Sequence, residues 1–222
     1  RFIEPFFLTP SSLNTVSSIG GELGKKGYYT AFFHGADNGS MGFEAFARTA
    51  GYTHYFGRTE YNEANPDNKD FDGHWGIWDE KFFQFFGNTL SGFQQPFAAA
   101  LFSLSSHHPF AVPAEYEGVF PKGNKPIRQC IGYTDNALKL FFEKVSKEPW
   151  YKNTLFVFTA DHTNSPERPE YETESGLFSV PVVFYQPGSD LKGFRKDVIA
   201  QQIDIMPTVS VSYTHLRLPT KA

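Results

Sequence analysis

Four apolar runs constrain this chain more than any other feature: YYTAFF at 28–33, QPFAAALFSLSS at 95–106, TLFVFT at 154–159 and VPVVFY at 180–185. They are near-continuous rather than alternating, as expected of strands covered on both faces. Between them lie stretches of helical character. Residues 12–27 mix small and apolar side chains and end in GKKGY, which predicts a helix closed by Gly27 with Lys25 and Lys26 at its carboxyl end. In TDNALKLFFEKVSK, residues 134–147, Ala137, Phe141 and Val145 share one face, Leu138 and Phe142 lie beside it, and Thr134 or Asp135 can cap the start. Asp204 can cap a short last helix beginning IMPTV. Strands alternating with helices predict an α/β fold with a mainly parallel central sheet flanked by helices. Residues 52–78, polar, aromatic and rich in turn formers, read as one long loop. A loop of that length in a compact domain is usually functional or mobile.

In such sheets ligands bind beyond the carboxyl ends of the strands. Three of the four runs end on polar tips: His34, His107-His108 and Asp161-His162. The Asp161 carboxylate and His162 imidazole suit a divalent metal once the backbone turns past the strand. Alternatively, Asp161 caps a turn and His162 is polar surface. His107 or His108 can donate to an anionic substrate oxygen or assist a leaving group, or both belong to a turn closed by Pro109. His34 opens HGADNGSMG, whose backbone N–H groups can face an anion or simply form a turn. His74, in DGHWGIWDE, belongs to a loop that covers a substrate or packs.

Other function classes are disfavoured. The net charge is −4 with no basic stripe, so nucleic acid is not expected as a partner. The single cysteine, Cys130, excludes an internal disulfide or a Cys-based zinc site, and reads as a small buried hydrophobe. Phenylalanine accounts for 25 residues, many clustered as in KFFQFFG, which points to core packing with ring faces at a cleft as the alternative. No stretch approaches the roughly 20 apolar residues needed to cross a bilayer. There is no G-x-S-x-G elbow, no P-loop and no G-x-G-x-x-G after a strand.

Several longer pieces occur in a characteristic order: AFFHGADNGSMGFEAFARTAGY, DGHWGIWDE, FSLSSHHPF, GYTDNALKLFFEKV with PWYKNTLFVFTADHT, SVPVVFYQPG and QQIDIMPTV. In these the chain resembles the sulfatase-type catalytic domain of the lipoteichoic acid synthase family, in the alkaline phosphatase superfamily. The resemblance implies an alkaline phosphatase-type α/β sandwich over residues 1–209. It implies one divalent cation, Mn²⁺ in most members and Zn²⁺, Ca²⁺ or Mg²⁺ as alternatives, held in part by Asp161 and His162. It places His107 as the catalytic, phosphate-holding histidine; His108 falls on a position that is not a histidine in the family pattern and ranks second, and His34 is a further candidate substrate contact from its place at a strand end. The implied activity is phosphotransfer or sulfate-ester cleavage through a covalent threonine intermediate, on small-molecule or lipid-headgroup phosphate or sulfate esters. The rival is a non-catalytic module that binds anionic polymers or headgroups.

The chain departs from that family in three places. The nucleophilic threonine and first acidic ligand are expected upstream of Arg1, since Thr9 and Thr15 lie too close to the first helix, and the piece alone is then expected to be inactive. The family's Trp and Arg after the HG turn fall near Met41 and Phe43, which implies a different headgroup. Family members are anchored by N-terminal helices with this domain outside the cytoplasm, so an extracytoplasmic location and membrane contact through upstream helices are implied. Residues 210–222, SVSYTHLRLPTKA, lack helical period and read as a non-native tail; His215 is therefore left out of any site.

Overall fold

The structure, a computed structural model, describes residues 16–67, 69–190, 193–195 and 197–215, with side chains through 211. Thr9, Thr15 and the last seven residues of the expected tail lie outside these. The chain divides into two compact units, Arg1–Lys144 and Val145–Ala222.

The first unit is built on β1 (Tyr29–His34), which pairs in parallel with β2 (His54–Phe56) on one side and β3 (Phe97–Phe102) on the other. Parallel pairing demands crossovers, and helices supply them: α2 (Phe43–Thr49) between β1 and β2, and α3 (Arg58–Ala64) with α4 (Asp79–Ser91) between β2 and β3. α1 (Ile19–Gly24) precedes β1, and α5 (Ile127–Val145) follows β3. Alternation along β1 sends Ala31 and Phe33 to one face, where they pack with Tyr61, Ile77 and Phe82. The Phe33 ring lies 4.6 Å from Phe56 and 4.7 Å from Phe86. Phe32 and His34 point to the other face, toward Phe43 of α2. Both faces are thus covered, as the apolar runs predict. The phenylalanines of KFFQFFG sit on α4 in the core rather than around a cleft: Phe82 and Phe83 are buried, and Phe86 reaches Phe141 of α5. Each such burial contributes about 1.5–3 kcal/mol.

Several boundaries move. The first helix, among the described residues, begins at Ile19, because the Ser18 hydroxyl accepts from the Gly21 N–H and fixes the start there. Gly27 closes it as expected, with φ +86°. The stretch expected to be one loop, 52–78, contains β2 and α3. A three-residue strand and a polar one-turn-and-a-half helix carry too little periodicity to stand out. Helix α5 starts seven residues before Thr134, so neither Thr134 nor Asp135 caps it. Thr134 is instead a mid-helix residue whose hydroxyl donates to Asp79. Cys130 is fully buried, and burial pushes its thiol up to about 11, as expected for an inert core cysteine.

In the second unit β4 (Phe156–Thr159) pairs antiparallel with β5 (Val182–Tyr185). A 3-10 turn at Gln202–Asp204 leads into α6 (Ile205–His215). The Asp204 carboxylate accepts from the Gln201 N–H at 2.8 Å, so it caps this start from inside the turn. Residues 210–215 continue the helix, contrary to the expected loss of helical structure after Val209. Once a helix is nucleated each added residue gains a hydrogen bond, which offsets the modest propensity cost of Val, Ser and Thr. No helix among the described residues is long and apolar enough to cross a membrane.

Candidate active-site edge and metal-ligand pair

The carboxyl ends of β1 and β3 are in register, with His34 opposite Phe102. His34 is fully buried, and its Nδ1 lies 3.1 Å from the Phe102 carbonyl oxygen. A carbonyl only accepts, so Nδ1 carries the proton and Nε2 keeps its lone pair. Burial pushes the imidazole pKa down, partly opposed by the Phe102 hydrogen bond. Nε2 is buried and has no partner among the described residues. His34 therefore presents an acceptor rather than a cation.

Trp75 covers it. The indole stands edge-on to His34 at 5.4 Å and to His107 at 4.8 Å, and its Nε1–H donates to the Ser40 hydroxyl at 3.2 Å. The two histidines expected from the strand tips are thus joined through one indole. The loop that carries Trp75 is strongly held. Its Asp72 carboxylate accepts from the N–H groups of His74, Trp75 and Gly76. Bridges Ala36↔Gly76 and Phe71↔Ile77 fasten it over the HG turn. Residues 69–78 of the long loop therefore form a fixed cover on the sheet's carboxyl edge. His74 contributes its backbone to the Asp72 ring of donors, and its side chain borders the cleft described below.

This close approach requires glycine. A Cβ on Gly76 would fall 2.4 Å from the Gly35 carbonyl oxygen, a backbone atom that cannot swing aside. Gly76→Ala is expected to cost about 1–3 kcal/mol and to lift Trp75 off His34. Urea unfolding with tryptophan emission as the probe reads both effects; an unchanged midpoint and spectrum would contradict the account.

His107 lies on the turn after β3. Its Nδ1 is 3.0 Å from the His108 carbonyl, so this nitrogen donates and Nε2 remains outward. A small cleft between that turn and the Trp75 loop is lined by Asp72, His74, Trp75, Ser105, His107 and His108. The turn is anchored by Asp79, which the sequence reading did not single out. Its fully buried carboxylate accepts from the N–H groups of Leu104 and Ser105 at 3.0 and 3.1 Å and from Thr134 at 3.2 Å. Ser105 returns the contact by accepting from the Asp79 N–H. Aspartate at the start of a helix is common, which is why the residue gave no separate signal in the sequence.

In the second unit Asp161 and His162 follow β4, both well exposed. His162 Nδ1 is 3.0 Å from the Thr163 carbonyl and therefore donates. Its Nε2 lies 3.5 Å from Asp161 Oδ2. A carboxylate and an imidazole side by side are donor types that a divalent cation takes. They supply two ligands; no cluster of three or more such groups exists among the described residues. Their backbone is fastened: Thr163 N–H donates to Leu177, and the Gln202 side chain donates to the carbonyls of Ala160 and Asp161. The QQIDIMPTV segment thus positions the doublet.

Residues 3–211 match the family model described as sulfatase. The chain is similar to lipoteichoic acid synthase 2 of Bacillus subtilis (strain 168), with 26% identity over 218 residues, covering 88% of this chain and 32% of that protein. It therefore spans about a third of that relative's length. Among solved structures it superposes on an alkaline phosphatase superfamily protein from Vibrio parahaemolyticus with a TM-score of 0.75 and 24% identity, covering 91% of this chain and 48% of that one. A lipoteichoic acid synthase from Listeria monocytogenes gives 0.72 and 24%, covering 88% and 52%. At these identities the structural likeness speaks to the fold alone.

Proposed function

The chain belongs to the sulfatase family as a lipoteichoic acid synthase-like member of the alkaline phosphatase superfamily, and from that premise we propose that it carries part of the catalytic domain of a metal-dependent phosphotransferase acting on phosphoglycerol-type esters. A sulfate ester is the second substrate class its family supports. The observation that carries the reading is the placement of His162 Nε2 3.5 Å from Asp161 Oδ2 at the end of β4.

Asp161 and His162 would hold a divalent ion, Mn²⁺ foremost. When bound, it would supply neutralising charge for the transferred group and lower the pKa of the attacking hydroxyl. The attacking oxygen belongs to a threonine outside the described residues; it bonds to phosphorus or sulfur as the ester oxygen departs. His107, when protonated, keeps Nδ1–H on the His108 carbonyl and donates from Nε2 to the departing oxygen. His108 contributes a secondary contact at the same turn. His34, fully buried beneath Trp75 with Nε2 enclosed, is not open to a substrate; it supports the indole that covers the edge instead of contacting the ester. Water or an acceptor alcohol then displaces the threonine. An extracytoplasmic location, with the substrate met at the cell envelope, goes with this reading through the family resemblance alone.

The test uses the protein extended upstream of Arg1, offered a phosphoglycerol diester and an aryl sulfate in parallel. Turnover of the diester is expected. His107→Ala should lower kcat/KM by about 10²–10³-fold, with folding unchanged because the side chain is exposed. Preferential sulfate turnover would move the enzyme to the other branch. Equal rates for wild type and His107→Ala would remove His107 from the reaction.

A further inference from the structure

Arg58 is a cation at the sheet's carboxyl edge with no role so far. It follows the end of β2, and its backbone N–H donates to the Ala36 carbonyl of the HG turn at 3.0 Å. Its guanidinium carbon lies 3.8 Å over the Phe71 ring, on the same fixed loop that carries Trp75. The side chain is 21% exposed. A guanidinium has five N–H donors. Here one of them, on Nη1, reaches Asp37 Oδ1 at 3.2 Å, while Nε is buried without a partner among the described residues. The other nearby carboxylate is committed: Glu60 accepts from the Gly57 N–H and from the Asn38 amide.

Burying a charged donor without an acceptor is unfavourable, and proteins rarely keep one at no gain. Stacking on Phe71 fixes the plane of the fork, which is the preorganisation that recognition of a tetrahedral oxyanion requires. The Asp37 carboxylate is 75% exposed and held by one bond. Such a pair is weak, and a polyanion offering several oxygens can replace it.

We propose that Arg58 is the oxyanion-binding and specificity-determining residue of this edge, taking the phosphate or sulfate group of the ester, with Asp37 as an internal anion that yields to it. The proposal rests on the reading above for the class of substrate alone. It uses no metal and no turnover, so its failure and the failure of that reading are separable.

The experiment titrates the full 222-residue chain with inorganic phosphate, and separately with inorganic sulfate, following the ¹⁵N–¹H signal of Arg58 Nε. A saturable shift is expected. Arg58→Gln, monitored through the Trp75 indole signal, should weaken binding at least about tenfold. Arg58→Lys, a point charge without the fork, should fall between the two. Asp37→Asn removes the competing anion from an exposed position and should tighten binding about threefold or more. The proposal is overturned by a wild-type Nε signal that does not respond, by Arg58→Gln binding as wild type does, or by Asp37→Asn binding more weakly.

Discussion

Replacing Asp79 with alanine is expected to destabilise the first unit by about 3 kcal/mol at neutral pH. The change removes the acceptor for two buried backbone N–H groups and one part-buried hydroxyl. Each orphaned donor costs about 1–3 kcal/mol. Part of that sum is recovered, because the carboxylate itself is buried at a cost. Burial pushes its pKa from the ordinary 3.8 up to about 6, against the hydrogen bonds from Leu104, Ser105 and Thr134, which lower it. At about 1.4 kcal/mol per pH unit, that shift is worth about 3 kcal/mol. Urea unfolding followed through Trp75 and Trp78 emission measures the loss as a midpoint lower by about 1–2 M.

The same shift sets a pH dependence with a definite sign. Between about 4 and 6 the folded carboxyl retains a proton that the unfolded chain has released. The stability associated with Asp79 is therefore full below the unfolded pKa and is lost as pH rises through about 6. Asp79→Asn abolishes that slope, and adds a penalty of its own, since the amide NH₂ faces the N–H donors. A variant whose stability profile retains the wild-type slope over this window would assign the titration to another group. The consequence for function follows from position. Leu104 and Ser105 lead directly to His107, so loosening their anchor moves an imidazole whose placement matters at the ångström level.

The second large effect falls on the doublet. Asp161→Ala together with His162→Ala should reduce turnover of the upstream-extended protein by about 10³-fold or more, since charge neutralisation by a bound cation is worth several kcal/mol. Fold stability should change little, because both side chains are exposed and exposed ion pairs contribute about 0–1 kcal/mol. Activity lost without stability lost separates a ligand role from a structural one.

The strands were legible because their apolar runs are nearly uninterrupted: β3, β4 and β5 fall within the expected stretches, and β1 overruns its own by one residue, His34. What stayed hidden depends on pairing rather than pattern. His54–Phe56 is a strand because Ala31–Phe33 offers it an open edge, a fact that three residues cannot announce. Thr134 resembled a helix cap until its hydroxyl was found on Asp79, 55 positions away in sequence. The histidines could be named from their places at strand ends, but not the indole between two of them. Trp75 acts through a loop whose shape comes from Asp72 gathering three consecutive amides. The doublet was visible as a pair of metal-competent residues. The orientation of its ring was not, because that is set by the Thr163 carbonyl 3.0 Å from Nδ1.

The central claim is that Asp161 and His162 ligate a divalent cation. The most direct measurement is the metal content of the upstream-extended protein, purified without chelator and analysed by mass spectrometry beside its Asp161→Ala, His162→Ala variant. About one manganese, or another divalent ion, per wild-type chain and none in the variant is the predicted result. Equal metal content in the two proteins, or none in either after loading with Mn²⁺, would contradict it and leave the doublet a structural turn.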